Sequence, residues 1–287
     1  MSQSSDAETA MRPAQDLASP FPEAHVPDSP DAVGAAAAAA SAQPSLAPFS
    51  NIAMAVLLGV LLALALVLFY RLPEIDRSVA SWFFVETTCG SGMPAGAVCG
   101  WFPLRDSPPF MALRQFLQYL PVALAAALGI ASLVRMLMGP KLERRRLLQA
   151  AAVFWTYVLS VGLVVNGIFK EFWGRPRPVQ TDVFGGDFPF VPAGEISSYC
   201  AKNCSFFSGE AAAAAWLICL VCLLPPRYAS VKPLAYGVAI ALTLATSVLR
   251  MSFGAHYLSD VVVASLTTLL VFSLLAMAAA RFATARA

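Results

Sequence analysis

The sequence predicts an all-α integral membrane protein of six transmembrane helices, and three observations carry that prediction. Of the 287 residues, 58% are hydrophobic and only 13% are charged, whereas a soluble domain carries about 25% charged residues. Six apolar segments, 51–70, 110–134, 147–169, 208–224, 233–249 and 257–280, approach the roughly 17–25 residues that a helix needs to cross hydrocarbon. None shows the alternation of a membrane β-strand, and in lipid a helix satisfies its own backbone hydrogen bonds. The net charge of +2 says nothing about partners. The expected partner is the bilayer itself, with no nucleic acid and no obligate protein partner.

Residues 1–50 precede the first span and differ from the rest. They are rich in Ala, Pro and Ser, with Asp6, Glu8, Asp16, Glu23, Asp28 and Asp31 set against Arg12 alone. A basic n-region is missing, and the only apolar run is Ala35 to Ala40. This reads as a disordered cytoplasmic tail rather than a cleaved signal. The domain boundaries are therefore a tail over 1–50, a membrane domain over 51–280 and a short tail over 281–287.

The loop after the first span opens PEIDRSVASWFF. Ile75, Val79, Trp82 and Phe83 recur on one helical face, with Asp76 and Arg77 off it. A short helix follows, either lying on the membrane surface or packed against the bundle. After the second span, the connector Gly139 to Arg146 holds Lys141, Arg144, Arg145 and Arg146. Arg227 and Lys232 stand between the fourth and fifth spans, and Arg281 and Arg286 follow the sixth. Basic residues in short loops mark the cytoplasmic side, so both termini are expected there. The loops 71–109, 170–207 and 250–256 then face outward.

The cysteines fit that topology. Cys89, Cys99, Cys200 and Cys204 all fall in outward loops, where an oxidising compartment allows disulfides. Cys89–Cys99 and Cys200–Cys204 are the local pairings, although spacing does not fix connectivity. Half of a metal site at Cys200 and Cys204 is the alternative. Cys219 and Cys222 lie mid-span as small core residues.

The outer ends of the spans carry the chemistry. Lys170, Arg175 and Arg177 cluster in KEFWGRPRP, and Arg250 ends the fifth span. One cation at a helix end snorkels to water. Several converging from separate loops repel one another until an anion fills the space, and phosphate suits the guanidinium fork. Ser208 stands at an N-cap position, and Gly209 allows close approach to the free N–H groups of the fourth helix. His256 is the one histidine outside the tail. Asp260 follows it by four residues, one helical turn on, where a carboxylate can hold one ring nitrogen and leave the other as a nucleophile.

Lys170, six residues, Arg177-Pro178; Ser208-Gly209; Arg250, five residues, His256, three residues, Asp260: this series resembles the signature of the type 2 phosphatidic acid phosphatase superfamily. The resemblance spans about residues 165–265. It implies a metal-independent, cofactor-free hydrolysis through a phosphohistidine, with the active site on the periplasmic side of a bacterial inner membrane. By that pattern His256 attacks phosphorus and Asp260 orients it. Lys170, Arg177, Arg250, Ser208 and the Gly209 N–H bind the phosphoryl oxygens. Two departures stand out. Glu210 follows Ser208-Gly209 where the superfamily has His, and Leu249 precedes Arg250 where Ser is common. Glu210 is the candidate acid if it holds a proton; otherwise it holds an arginine or activates water.

The wording VVNGIFKEFWGRPRPVQ, ISSYCAKNCSFFSGEA and LRMSFGAHYLSD is similar to the lipid A 4′-phosphatase branch. The lipid phosphate implied is therefore the 4′-phosphate of lipid A, with undecaprenyl diphosphate or phosphatidylglycerol phosphate as alternatives. Arg175 is a further candidate for substrate, touching a second phosphate, or else a surface charge. The loop Phe184–Ser198 and the helix near Trp82 are expected to read the headgroup. A lipid- or anion-binding protein or a transporter is the reading from another class. Against it, the spans show no two-fold internal repeat.

Overall fold

A computed structural model of the chain describes residues 45–138 and 144–284. Residues 1–44 of the expected 1–50 tail, Lys141 of the basic connector, and Arg286 lie outside the described residues; residues 45–50 are not a free tail, since Leu46 and Phe49 are buried in the core.

Helix α1, Ile52–Arg71, begins where the Asn51 side chain accepts the Ala53 N–H at 2.9 Å, an N-cap that satisfies an orphan donor. Four further elements are also long and apolar enough to cross a membrane: α3, Pro108–Met138; α4, Arg144–Phe172; α6, Lys232–Ser252; and α7, Leu258–Thr284. The protein is a multi-pass membrane protein, and these five helices are long enough to cross.

The expected span at 208–224 is a helix but a short one. Helix α5 runs over Gly209–Val221, 13 residues, about 20 Å at 1.5 Å per residue. Its end tightens through bonds from Cys222, Leu223 and Leu224 to carbonyls three residues back, just before Pro225 and Pro226 break the ladder. Lipid does not set this helix's length, because it packs against α3, α4, α6 and α7. Residues Ala211 to Ala215 are all buried, and small side chains let neighbouring backbones approach closely. Trp216 closes the packing, donating from Nε1 to the Val153 carbonyl at 2.7 Å.

Within α4 the stretch Tyr157–Phe169 winds as a π-helix, in which each N–H reaches five residues back. Asn166 follows the same spacing, its Nδ2 donating to the Val161 carbonyl at 2.7 Å. The wide turns deliver Lys170 against the start of α5. A carbon added at Gly209 would meet Lys170 Nζ at 3.3 Å.

The outer loops amend the all-α expectation. Strands β1, Val85–Thr87, and β2, Cys99–Trp101, pair antiparallel with Glu86 opposite Gly100. The Cys89–Cys99 disulfide closes this hairpin. Before it lies helix α2, Glu74–Ser81. Of the two readings left open for this helix, packing against the bundle holds: it sits on α7, with Ile75, Val79 and Phe83 against the core. Trp82 is the exception on that face, 76% exposed. Asp76, expected off the buried face, is wholly buried instead, because Arg175 and Ser259 meet it from beneath.

Candidate active site

His256 sits in the turn between α6 and α7 and is 1% exposed. Its Nδ1 lies 2.7 Å from the Ser205 carbonyl oxygen. A carbonyl only accepts, so Nδ1 carries the hydrogen and the lone pair of the neutral ring is on Nε2. Burial pushes the His256 imidazole down to about 4; Asp260 opposes the fall, and Arg250 and Arg177 add to it. At neutral pH the ring is therefore uncharged, the form in which it can act as a nucleophile.

The expected contact between Asp260 and the ring is indirect. Asp260 Oδ2 stands 3.6 Å from Nδ1, beyond hydrogen-bond distance. That oxygen accepts instead from Ser205 Oγ at 2.5 Å and from the Tyr257 N–H at 2.8 Å. Asp260 thus fixes Ser205, and the carbonyl of Ser205 fixes the imidazole.

The cations gather beside this unit. Lys170, Arg177, Arg250, Gly209 and Glu210 line one cavity of about 310 Å³, together with Arg114 of α3. A second cavity of about 310 Å³ shares Arg114, Arg177 and Arg250 and adds Arg105 and Phe253. The three shared guanidiniums form the wall between the two. Arg177 gives Nε and Nη2 to the Asn203 carbonyl, at 3.2 and 2.9 Å, and Nη2 to Asn203 Oδ1 at 2.9 Å. Burial draws the pKa of Arg177 below the ordinary guanidinium value, and an anion in the cavity would offset that cost.

Ser208 caps α5, its Oγ accepting the Ala211 N–H at 3.3 Å. Its own N–H is committed to the Asp260 carbonyl at 3.2 Å. Of the pair, Gly209 is the one that lines the cavity. Glu210 Oε1 takes Arg114 Nη2 at 2.8 Å and Nε at 3.2 Å, with Arg250 Nε at 3.5 Å. Two guanidiniums beside one carboxyl favour its ionised form, and these are the contacts expected of a residue that holds arginines.

Cys200 and Cys204 are bonded to each other, which removes the alternative of a half metal site. Among the described residues no group of three or more His, Cys, Asp and Glu could hold a metal ion. The loop closed by this disulfide runs beside the first motif. Cys204 N–H donates to the Lys170 carbonyl at 3.2 Å and Ser205 N–H to the Arg175 carbonyl at 2.9 Å. The loop also carries Asn203, which grips Arg177, and Ser205, which grips His256. Replacing both cysteines by serine is expected to lower phosphate release by about tenfold to a hundredfold without unfolding the helices, since ~1 Å misplacements cost that much. Rates measured in detergent beside circular dichroism would check it.

Residues 149–283 match the family model of the PAP2 superfamily. Lipid A 4'-phosphatases of Rhizobium etli and Rhizobium leguminosarum are each 42% identical over 214 residues, 73% of this chain and 81% and 89% of theirs. The chain belongs to the PAP2 superfamily. Another lipid A 4'-phosphatase, of Francisella tularensis subsp. novicida, is 42% identical over 119 residues, covering 42% of this chain and 51% of that protein. A crystal structure of a transmembrane PAP2 type phosphatidylglycerolphosphate phosphatase from Bacillus subtilis aligns over 77% of this chain and 93% of its own, with 18% identity and a TM-score of 0.48. As a PAP2 member 42% identical to the two Rhizobium lipid A 4'-phosphatases over most of its length, the protein is a phosphatase.

In this PAP2 chain Arg175 is neither a surface charge nor open to substrate. It is wholly buried. Its donors go to Asp76 at 2.8 Å, Asp260 at 2.6 Å, Ser259 Oγ at 2.8 Å and the Val191 carbonyl at 2.8 Å. Burial works against its charge, but Asp260 and Asp76 raise its pKa above the ordinary guanidinium value. The backbone at Gly174 makes this inward turn possible. Its φ is +72°, and an added carbon would lie 1.7 Å from the Ser197 carbonyl oxygen, so only glycine fits.

Sequence reasoning missed Arg114, Asp76, Ser205 and Ser259. For Arg114 a signal existed: a single cation about one turn into the second apolar segment, where an ionisable group is by default functional.

Proposed function

We propose that this protein is an integral phosphatase of the bacterial inner membrane that removes the 4′-phosphate of lipid A at the periplasmic face, through a phosphohistidine on His256. The observation that carries the reading is the neutral imidazole of His256, its Nδ1–H spent on Ser205, beside the guanidinium wall of Arg177, Arg250 and Arg114. The 42% identity to lipid A 4'-phosphatases over most of the chain supports the substrate. Two disulfides in the loops next to the site support the periplasmic side.

In the first step Nε2 attacks phosphorus. The bond to the sugar oxygen breaks, the electron pair leaves on that oxygen, and water in the cavity supplies its proton. Lys170, Arg177, Arg250 and the Gly209 N–H receive the charge of the three equatorial oxygens. In the second step water attacks phosphorus, the P–N bond breaks, and inorganic phosphate leaves. Glu210 holds Arg250 and Arg114 in place throughout. Asp260 and Ser205 keep the ring in one tautomer.

The test is to offer purified protein in detergent three lipids: lipid A bisphosphate, undecaprenyl diphosphate and phosphatidylglycerol phosphate. Loss of the 4′-phosphate, read by mass spectrometry of the product, is expected. Release confined to either of the other lipids, or to the 1-phosphate, overturns the substrate. For Glu210→Gln we expect a loss of about tenfold, with the alkaline side of the pH–rate profile unchanged, because no proton donor has been removed. Disappearance of an alkaline limb in that variant would make Glu210 the acid.

A further inference from the structure

Two charged residues in the fold's interior are given no role by the motifs: Asp76 on α2 and Arg175, which stands between Lys170 and Arg177. Both are completely buried, as is Asp260. Fully buried charges are retained only when paired and hydrogen-bonded, since desolving them is costly. Here the pairing leads toward the nucleophile. Asp76 Oδ2 accepts Arg175 Nη2 at 2.8 Å, and Arg175 Nη1 donates to Asp260 Oδ1 at 2.6 Å. Asp260 Oδ2 takes Ser205 Oγ, and the Ser205 carbonyl takes His256 Nδ1. Ser259, next to Asp260 in sequence, locks the far end. Its N–H and Oγ both donate to Asp76, at 2.8 and 2.5 Å. The Arg175 guanidinium also lies 4.3 Å over the Tyr257 ring.

We propose that Asp76 and Arg175 are positioning residues for the phosphoryl transfer: Asp76 holds Arg175, and Arg175 holds Asp260 in the orientation that fixes Ser205 and the His256 ring. The inference rests on the proposed role of His256 as nucleophile and deepens it. Two carboxylates against one guanidinium leave one surplus negative charge beneath the imidazole. Burial raises the pKa of Asp76, while Arg175 and the Ser259 hydrogen bond oppose the rise; its oxygens accept from Arg175 Nη2, the Ser259 N–H and Ser259 Oγ, as those of a carboxylate do. When Nε2 bonds to phosphorus the ring keeps its Nδ1 hydrogen and becomes cationic. The surplus charge then stabilises that cation where water cannot reach it. An Asp260–Arg175 pair alone would be neutral and would offer the intermediate little.

This assigns a task to helix α2, which the linear motifs do not include. The segment between the first span and the hairpin is the outer brace of the nucleophile. A purely structural brace and a positioning brace make different predictions. The first affects how much folded protein is recovered; the second slows chemistry in protein that is folded and still binds substrate.

The experiment measures kcat and KM for lipid A bisphosphate in detergent with Asp76→Asn, which keeps the shape and removes the charge. We expect kcat to fall about thirtyfold or more with KM within about threefold, in protein that elutes as the wild type does. Asp76→Glu is expected to recover part of kcat. Should Asp76→Asn fail to fold, Ser259→Ala serves instead. It keeps every charge and removes only the Oγ bonds to Asp76 and Arg175, and kcat is expected to fall about five- to tenfold. Phosphate label retained on His256 after an alkaline denaturing quench, in which the P–N bond survives, reports the step directly, and both variants should form phosphohistidine more slowly. A folded Asp76→Asn or Ser259→Ala protein with kcat within twofold of wild type overturns the proposal. Absence of phosphohistidine in the wild type would instead overturn the reading it rests on, so the two failures are distinguishable.

Discussion

Changing His256 to alanine is expected to reduce phosphate release by at least about a thousandfold, because the proposed covalent step has no other imidazole among the described residues. Neither the Arg250–Glu210 contact nor the Asp260–Arg175 pair runs through the ring, so its removal is expected to leave both in place. Binding of inorganic phosphate should therefore survive while turnover does not. The same residue sets a pH expectation. Its pKa is lowered to about 4, so the ring is unprotonated and nucleophilic at every pH above roughly 5, and the nucleophile is lost only as pH falls through that value. A free imidazole would lose it near 6.5. Any acid limb near pH 6 then belongs to the substrate, whose phosphomonoester takes up its second proton there. Titration of the ring by NMR checks the sign: a pKa near 6.5 would contradict the buried neutral imidazole. A His256→Ala protein that kept a tenth of the wild-type rate would remove the phosphohistidine altogether.

What the sequence revealed and what it hid follow from range. The three motifs were legible because each lies within one helix end or one turn, where local geometry places residues together. Lys170 and Arg177 bracket a single loop. Arg250 and His256 bracket another, with Asp260 one turn into the next helix. The spans were legible because lipid demands long apolar runs of the kind in α1 and α7. The interactions that hold the site in shape join distant positions. Arg114 meets Glu210 across 96 residues and Arg175 meets Asp76 across 99. No periodicity carries such a signal. The periodicity of α2 pointed the wrong way for Asp76, since the rule that charges face water has no knowledge of a buried guanidinium beneath the helix. The length of α5 was overestimated for a related reason. An apolar run in a membrane protein reads as lipid-facing, yet this one is apolar because other helices surround it. The direct Asp260–His256 contact was a fair inference from i, i+4 spacing. It gave way to the Ser205 carbonyl, which reaches the ring from a loop fifty-one residues earlier.

Arg250 should be the most sensitive member of the cationic wall, and the reason is geometric. It is 5% exposed at the end of α6, lines both cavities, and directs only Nε toward Glu210, at 3.5 Å. In the proposed mechanism Nη1 and Nη2 are the fork that meets two phosphoryl oxygens. Arg114 differs, because Glu210 already occupies both its Nε and its Nη2. Arg250→Gln removes a charge-assisted donor that meets oxygens whose charge is being redistributed in the transition state. Losses of that type run to about a hundredfold to a thousandfold in kcat. Arg250→Lys keeps the charge but replaces the planar fork by a point donor, and should recover only part of that loss. The inhibition constant of inorganic phosphate should rise in both variants, more in Gln than in Lys, because product and transition state use the same fork. A Gln variant with at least a third of the wild-type rate and an unchanged phosphate inhibition constant would mean that the anion binds elsewhere. The second cavity, beside Arg105, would then be the place to look.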